Sequence, residues 1–285
     1  MRVLILGASG MFGHTALSTF AADPRFETWG TIRSAANAAA FPDAQRDRLV
    51  SGVDVTDIDS VLRAFATARP ALVINAVGIV KQLASADDPL VAIPINALLP
   101  HRLAAICAAA GSRLVHISTD CVFSGARGGY REDEVTDAED LYGRSKAMGE
   151  VRTQPHVLTL RTSGIGRELG SRLGLVEWFL HATGTVRGFS RAMYSGLPWT
   201  EISRVIRDVV APRPELHGLY QLASAPISKL ELLRLLATAY GKEIEIVPDD
   251  SFVIDRTLDG TRFSTATGYR TPDWPTLVAD MARHG

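Results

Sequence analysis

Through the first 160 residues, short apolar runs alternate with longer stretches whose apolar positions repeat at helical spacing. Residues 3–6 make a run of buried-strand type, and a helix is expected after Gly13. Further strands are expected at 26–33, 50–55, 71–76, 113–118 and 157–161, with helices at 58–68, 94–110 and 141–152. This alternation predicts βαβ units around a parallel sheet, whose ligands sit at the carboxyl ends of the strands near the switch in strand order. The acidic stretch 131–140 reads as a solvated loop, with a lid as its functional alternative. Beyond residue 163 the alternation weakens. Gly, Ser and aromatic residues crowd 163–198, helices are expected at 202–210 and 229–240, and a short strand at 244–247. The expected architecture is α/β: a Rossmann-like doubly wound parallel sheet over residues 1–162, completed by about 196–223, with a smaller C-terminal substrate-binding lobe from 163–195 and 224–285.

Composition narrows the classes. A chain of 285 residues, 46% hydrophobic and 21% charged, can bury a core without disulfide or metal support. A formal net charge of −1 and the lack of any Lys/Arg run argue against nucleic acid as partner. Cys107 and Cys121 are too few for a disulfide framework or a zinc site. The seven histidines show no H-x-x-x-H spacing, so no metal is expected. No stretch reads as approaching the roughly 20 apolar residues of a membrane span. The apolar start lacks a signal peptide's long core, so the expectation is a cytoplasmic protein without a membrane partner.

Gly7-Ala8-Ser9-Gly10-Met11-Phe12-Gly13 has the form G-x-x-G-x-x-G between an expected strand and an expected helix. Glycine permits the tight turn and clears side chains from the path of a diphosphate, while N–H groups at the helix start face the anion. Ser9, Met11 and Phe12 belong to the same cradle. The strand–turn–helix context turns a weak glycine signal into a strong one. At the end of the second strand Arg33 offers a cation where an acid would select a free ribose hydroxyl. That favours NADP (as NADPH) over NAD, which stays as the alternative; an ordinary surface arginine is the competing reading.

Tyr142 and Lys146 stand four apart on an expected helix and so share a face. A phenol has a reference pKa of about 10, and a neighbouring ammonium is expected to lower it. Thr119, in Ser118-Thr119-Asp120 at the end of the preceding strand, brings a hydroxyl to a carbonyl that gains charge during hydride transfer. Alone, that triplet reads equally as a turn closing a strand.

The glycine turn, Thr119, Tyr142 and Lys146 together resemble, in order and spacing, the extended branch of the short-chain dehydrogenase/reductase superfamily. Asp54-Val55-Thr56-Asp57 is similar to its adenine-contacting turn, with Asp54 and Val55 as contacts and Thr56 or Asp57 as a helix N-cap. Asn75-Ala76-Val77-Gly78 is similar to the strand end beside the cofactor ribose. The stretch from Ser118 to Gly125, Tyr142-Gly143-Arg144-Ser145-Lys146 and Leu160-Arg161-Thr162-Ser163 resemble the dTDP-4-dehydrorhamnose reductase family. Gly218-Leu219-Tyr220 and Leu258-Asp259 extend the likeness along the chain. The resemblance implies Thr119, Tyr142 and Lys146 as catalytic trio and Asp120 as sugar contact. It implies NADPH-dependent reduction of a nucleotide-linked 4-keto sugar, and a homodimer as a superfamily expectation. A nucleotide-sugar epimerase and a non-catalytic regulatory subunit keeping the NADP pocket are the alternatives.

Two departures fall on the sugar side. Cys121 replaces the family's tyrosine, and stands where nucleotide-sugar dehydratases carry a glutamate, which argues against dehydration. Gly164-Ile165-Gly166 replaces an aromatic-containing stretch. Arg187 and Arg191, flanking Gly188-Phe189-Ser190, are candidates for the substrate diphosphate. Trp178, Phe189 and Trp199 read as core aromatics, and His116 as a satisfied core residue.

Overall fold

Residues 1–169 and 174–284 are described by the structure, a computed structural model. Seven strands make the central sheet: β1 (Arg2–Leu6), β2 (Glu27–Ile32), β3 (Leu49–Ser51), β4 (Leu72–Asn75), β5 (Arg113–Thr119), β6 (Val157–Thr162) and β7 (Gly218–Gln221). All pair in parallel, in the order β7-β6-β5-β4-β1-β2-β3. Consecutive residues of β1 serve opposite cores: Val3 and Ile5 pack with helix α1 (Met11–Ala21), Leu4 and Leu6 with α2 (Ile58–Ala68). A sheet covered on both faces needs apolar residues at every strand position, which is why 3–6 is a continuous run rather than an alternating one.

Element boundaries moved where local backbone chemistry overrode the pattern. The strand expected at 50–55 stops at Ser51, because Gly52 adopts φ +72. The helix expected to start at 94 begins with Asp88 as N-cap, accepting from Leu90 N at 2.9 Å, and runs as α3 (Pro89–Ala110) through a wider π segment at Ile93–Leu98. By length and composition α3 is able to cross a membrane, contrary to the sequence reading that placed its start too late. Here its Leu99, Leu103 and Cys107 pack into the core with Val73 and Leu114 of the sheet. The helix expected at 141–152 is α4 (Leu141–Met148). It is followed by Gly149, which rests on the Asn96 carbonyl so closely that a Cβ would approach to 2.0 Å.

Residues 131–140 are tethered rather than freely solvated. Glu132 is buried and accepts from Gln221 N at 2.9 Å, Asp137 accepts from the backbone and hydroxyl of Ser124 at 2.7 Å each, and Asp140 caps α4. After β6 the chain makes two- to five-residue strands: Gly164–Ile165 beside Leu197–Pro198, Thr185–Phe189 beside Glu245–Asp249, and Ala192–Tyr194 between Ile227–Ser228 and Ile254–Asp255. Such short pieces carry no readable period. The expected substrate segment 163–195 includes residues 170–173, which lie outside the described residues.

Candidate active site

The strand order reverses between β4 and β1, and a crevice opens there at the carboxyl ends. Gly7 leaves β1 at φ +80, and a Cβ there would lie 2.8 Å from Val77 Cγ2. A Cβ on Gly13 would come within 2.1 Å of the Gly7 carbonyl oxygen, so α1 can close onto the turn only through glycine. Gly10 is the N-cap of α1 and offers no side chain to its first N–H groups. Gly10, Met11 and Phe12 line a cavity of about 260 Å³ with Asn75, Ala76 and Val77. This uncapped helix start, cleared of side chains, fits an anionic diphosphate.

The other expected cofactor residues are arranged around this crevice unequally. Ser9 is half-buried in the turn and is not a cavity wall. Arg33 follows β2, exposed, and its charge acts on Asp54 beyond β3. The Asp54 carboxylate accepts from Thr56 N at 2.9 Å and Thr56 Oγ1 at 2.7 Å, which holds its pKa down. Val55 packs on the core, and Asp57 caps α2, accepting from Asp59 N at 3.0 Å. Asn75 is buried at the end of β4: its Nδ2 donates to His116 Nδ1 at 3.1 Å and its Oδ1 accepts from Val77 N at 3.1 Å. His116 is therefore only half satisfied, since its Nε2 has no hydrogen-bond partner among the described residues. Burial, with the nearby Lys146 charge, drives its pKa well below the usual histidine range and keeps it neutral.

Thr119 ends β5, and Asp140 starts α4 by accepting from Gly143 N at 2.7 Å, which presents Tyr142 to the same crevice. Thr119 Oγ1 donates to Asp120 Oδ1 at 3.1 Å and accepts from Cys121 N at 3.1 Å, and Thr119 lines the same crevice as the Tyr142 phenol. Lys146 is buried and donates from Nζ to the Ile117 carbonyl at 2.7 Å. Burial pulls its ammonium down to about 8, against the opposing charge of Glu150. The phenol behaves differently from the sequence expectation. Burial raises the Tyr142 pKa above its ordinary value, nearby Cys121, Asp120 and Asp140 add to this, and only the neighbouring Thr119 hydroxyl opposes it. With Lys146 held on the β5 backbone, Tyr142 stays a protonated donor.

Beneath these groups Glu150 is fully buried and binds Arg161 through two hydrogen bonds, from Nε at 2.6 Å and Nη2 at 2.9 Å. It also accepts from Ser118 Oγ at 2.8 Å. One carboxylate thereby joins the end of α4 to both β5 and β6.

A second cavity, of about 350 Å³, shares Asp120, Cys121 and Ser163 with the first. Burial raises the Asp120 carboxyl, against Thr119, Arg256 and Lys229, and pushes the Cys121 thiol up to about 12. Trp178 and Phe189, read from sequence as core aromatics, are cavity walls instead; Trp178 is 44% exposed and Phe189 packs at 5.3 Å on Phe252. Trp199 packs 5.3 Å from Phe12 and occupies the space a Cβ on Gly164 would enter, 2.2 Å from its ring. The aromatic absent from 164–166 thus arrives from the start of the helix Trp199–Val205.

Of the two arginines expected at the substrate diphosphate, Arg187 lines the cavity but bonds Asp249 at 3.2 Å, with its side chain 71% exposed. Arg191 is exposed and is not a wall. Lys229 and Arg256 line the cavity and were not read from the sequence, where lone cations carry no spacing signal. Asn96 was missed too: buried on α3, it clamps Ile79 by two hydrogen bonds, 2.9 and 3.1 Å, and reaches Ser145 of α4.

The family described as RmlD substrate binding domain matches residues 1–180. A dTDP-4-dehydrorhamnose reductase of Streptomyces griseus is 35% identical over 150 residues, covering 52% of this chain but only 43% of that protein. One from Aggregatibacter actinomycetemcomitans is 23% identical over 98% of both chains. The crystal structure of dTDP-4-dehydrorhamnose reductase from Bacillus anthracis in complex with NADP superposes with a TM-score of 0.82 at 19% identity, covering 100% of this chain and 99% of that one, and so shares the fold. With the family matched over more than half of its length, the chain belongs to the RmlD substrate-binding-domain family.

Proposed function

We propose that this protein is an NADPH-dependent reductase of a nucleotide-linked 4-keto sugar, of the dTDP-4-dehydrorhamnose reductase kind. The observation that carries the reading is the convergence of Thr119, Tyr142 and Lys146 on the crevice beside the glycine turn, a crevice that shares Asp120, Cys121 and Ser163 with the second cavity. A ketone seated there meets a proton donor from one side and the dinucleotide crevice from the other. Residues 10–13 and Gly7 hold the diphosphate, Lys146 and Asn75 the nicotinamide half, and Arg33 the ribose phosphate that distinguishes NADP from NAD. When bound, the dinucleotide supplies the hydride to the ketone carbon. Tyr142 gives its proton to the ketone oxygen as the carbon becomes tetrahedral, so a ketone, a hydride and a proton become an alcohol. Thr119 donates to the same oxygen as charge develops. Asp120 and Ser163, on the shared rim, orient the sugar hydroxyls.

The test is a panel of dTDP-, UDP-, GDP- and CDP-4-keto sugars with NADPH and NADH, read by absorbance of the reduced nicotinamide. Consumption of NADPH with at least one sugar, faster than of NADH, is the expected result. Turnover without net NADPH consumption identifies an epimerase instead, and NADPH binding with no turnover on any sugar identifies a binding subunit.

A further inference from the structure

Two cations of the second cavity have no carboxylate on them among the described residues. Lys229, the first residue of the helix Lys229–Tyr240, places its Nζ 3.9 Å from the centre of the Tyr194 ring, and no hydrogen bond or ion pair engages it. Arg256 donates from Nε to the Phe123 carbonyl at 2.8 Å and likewise enters no ion pair. Both act on the charge of Asp120 and Cys121, which puts them at the turn that begins with Thr119, yet neither reaches salt-bridge distance of Asp120. An ammonium in a largely apolar cavity with a ring face beside it but no carboxylate at salt-bridge distance is incompletely compensated, and an arriving anion supplies what is missing. Arg187 differs: Asp249 already neutralises it at the solvent-exposed rim.

We infer that Lys229, assisted by Arg256, anchors anionic oxygens of the substrate beside the turn 119–121, in the role the sequence suggested for Arg187 and Arg191. This rests on the nucleotide-sugar reading above. The shared chemistry is a phosphoryl or carboxylate oxygen; a nucleotide sugar brings the first in its diphosphate and the second when its sugar is acidic. The Tyr194 ring face holds the ammonium itself, and Tyr194 is fastened by its hydroxyl donating to the Ser163 carbonyl at 2.9 Å. The cation is thus held in place before the ligand enters, so little order has to be created on binding.

The experiment titrates the NADP-saturated protein calorimetrically with dTDP, UDP, thymidine, UDP-glucose and UDP-glucuronate, for the wild type and Lys229→Met. The diphosphates are expected to bind the wild type at least tenfold tighter than thymidine, and Lys229→Met to remove about tenfold of that affinity. An equal loss for UDP, UDP-glucose and UDP-glucuronate assigns the diphosphate; a loss confined to UDP-glucuronate assigns a sugar carboxylate. Unchanged affinities in Lys229→Met overturn the assignment while leaving the nucleotide site intact. A wild type that binds none of the nucleotides overturns the nucleotide-sugar reading itself, and this inference with it. A second measurement needs no variant. In the wild type, dTDP is expected to slow reductive methylation of Lys229 by at least fivefold, read by peptide mass spectrometry, where thymidine does not. Equal labelling with every ligand also overturns the proposal.

Discussion

Tyr142 is less acidic than a spacing argument suggests. The Y-x-x-x-K pattern puts phenol and ammonium on one helix face, but in the folded chain Lys146 spends its hydrogen bond on Ile117 and burial lifts the phenol. A protonated phenol suits reduction, where the enzyme must give a proton. Replacing Tyr142 by Phe is therefore expected to lower kcat by about 10²–10⁴, the usual worth of a positioned acid, while NADPH affinity measured by fluorescence stays within about twofold. Lys146 sets a pH limit on the free protein. Its ammonium, pulled down to about 8, is charged below that pH and lost as pH rises through it. NADPH binding is expected to weaken roughly tenfold between pH 7 and 9, in line with about 1.5 kcal/mol for a charged hydrogen bond, and fluorescence titration of wild type against Lys146→Met checks it: the variant should show no such slope.

At the scale of elements, Glu150 ties the helix carrying Tyr142 and Lys146 to the strands carrying Thr119 and Arg161. Both members of the Glu150–Arg161 pair are fully buried; Glu150 also pairs with Arg152 at 2.6 Å, but Arg161 has no other carboxylate among the described residues, so removing Glu150 leaves its charge stranded. Glu150→Gln is expected to lose about 3–5 kcal/mol of stability by urea unfolding; a loss under about 1 kcal/mol would show that the pair is dispensable. The sequence displayed Leu160-Arg161-Thr162-Ser163 only as a motif, and its arginine looked as available for ligand as any other. The strand pairing of β5 with β6 buries it instead. Helix ends show the same division. The periodic core of α2 was legible to the residue, but not that Gly149, just past α4, would lie against a carbonyl from α3, a contact between segments fifty positions apart.

For the whole molecule, the dinucleotide crevice and the second cavity are made by different parts of the chain that meet at residues 120, 121 and 163. Binding in the crevice is expected to stabilise the entire fold, because a ligand at a hundred times its Kd adds about 2.7 kcal/mol. For a chain of this size that is a rise of several degrees in melting temperature. Scanning fluorimetry is expected to show a larger rise with NADPH than with equimolar NADH, and Arg33→Ala is expected to erase the difference. An equal rise with both in the wild type removes Arg33 from cofactor choice. We propose that residues 1–162 with the returning strand β7 form the dinucleotide-binding domain, and that 163–195 and 224–285 supply the substrate lobe.

Local order in the chain was enough for the individual strands, the glycine turn and the Tyr142–Lys146 pair on one helix face. Each depends on neighbours within a strand, a turn or one helical repeat, so spacing encodes it. Contacts between distant segments were not legible. Lys229 becomes a cavity cation only because its helix docks over Tyr194, Trp199 fills the space above Gly164 from 35 positions away, and Arg191 turns to solvent while Arg187 takes Asp249. No periodicity records such meetings, because they are decided by how whole elements pack and by which buried charges find a partner when they do.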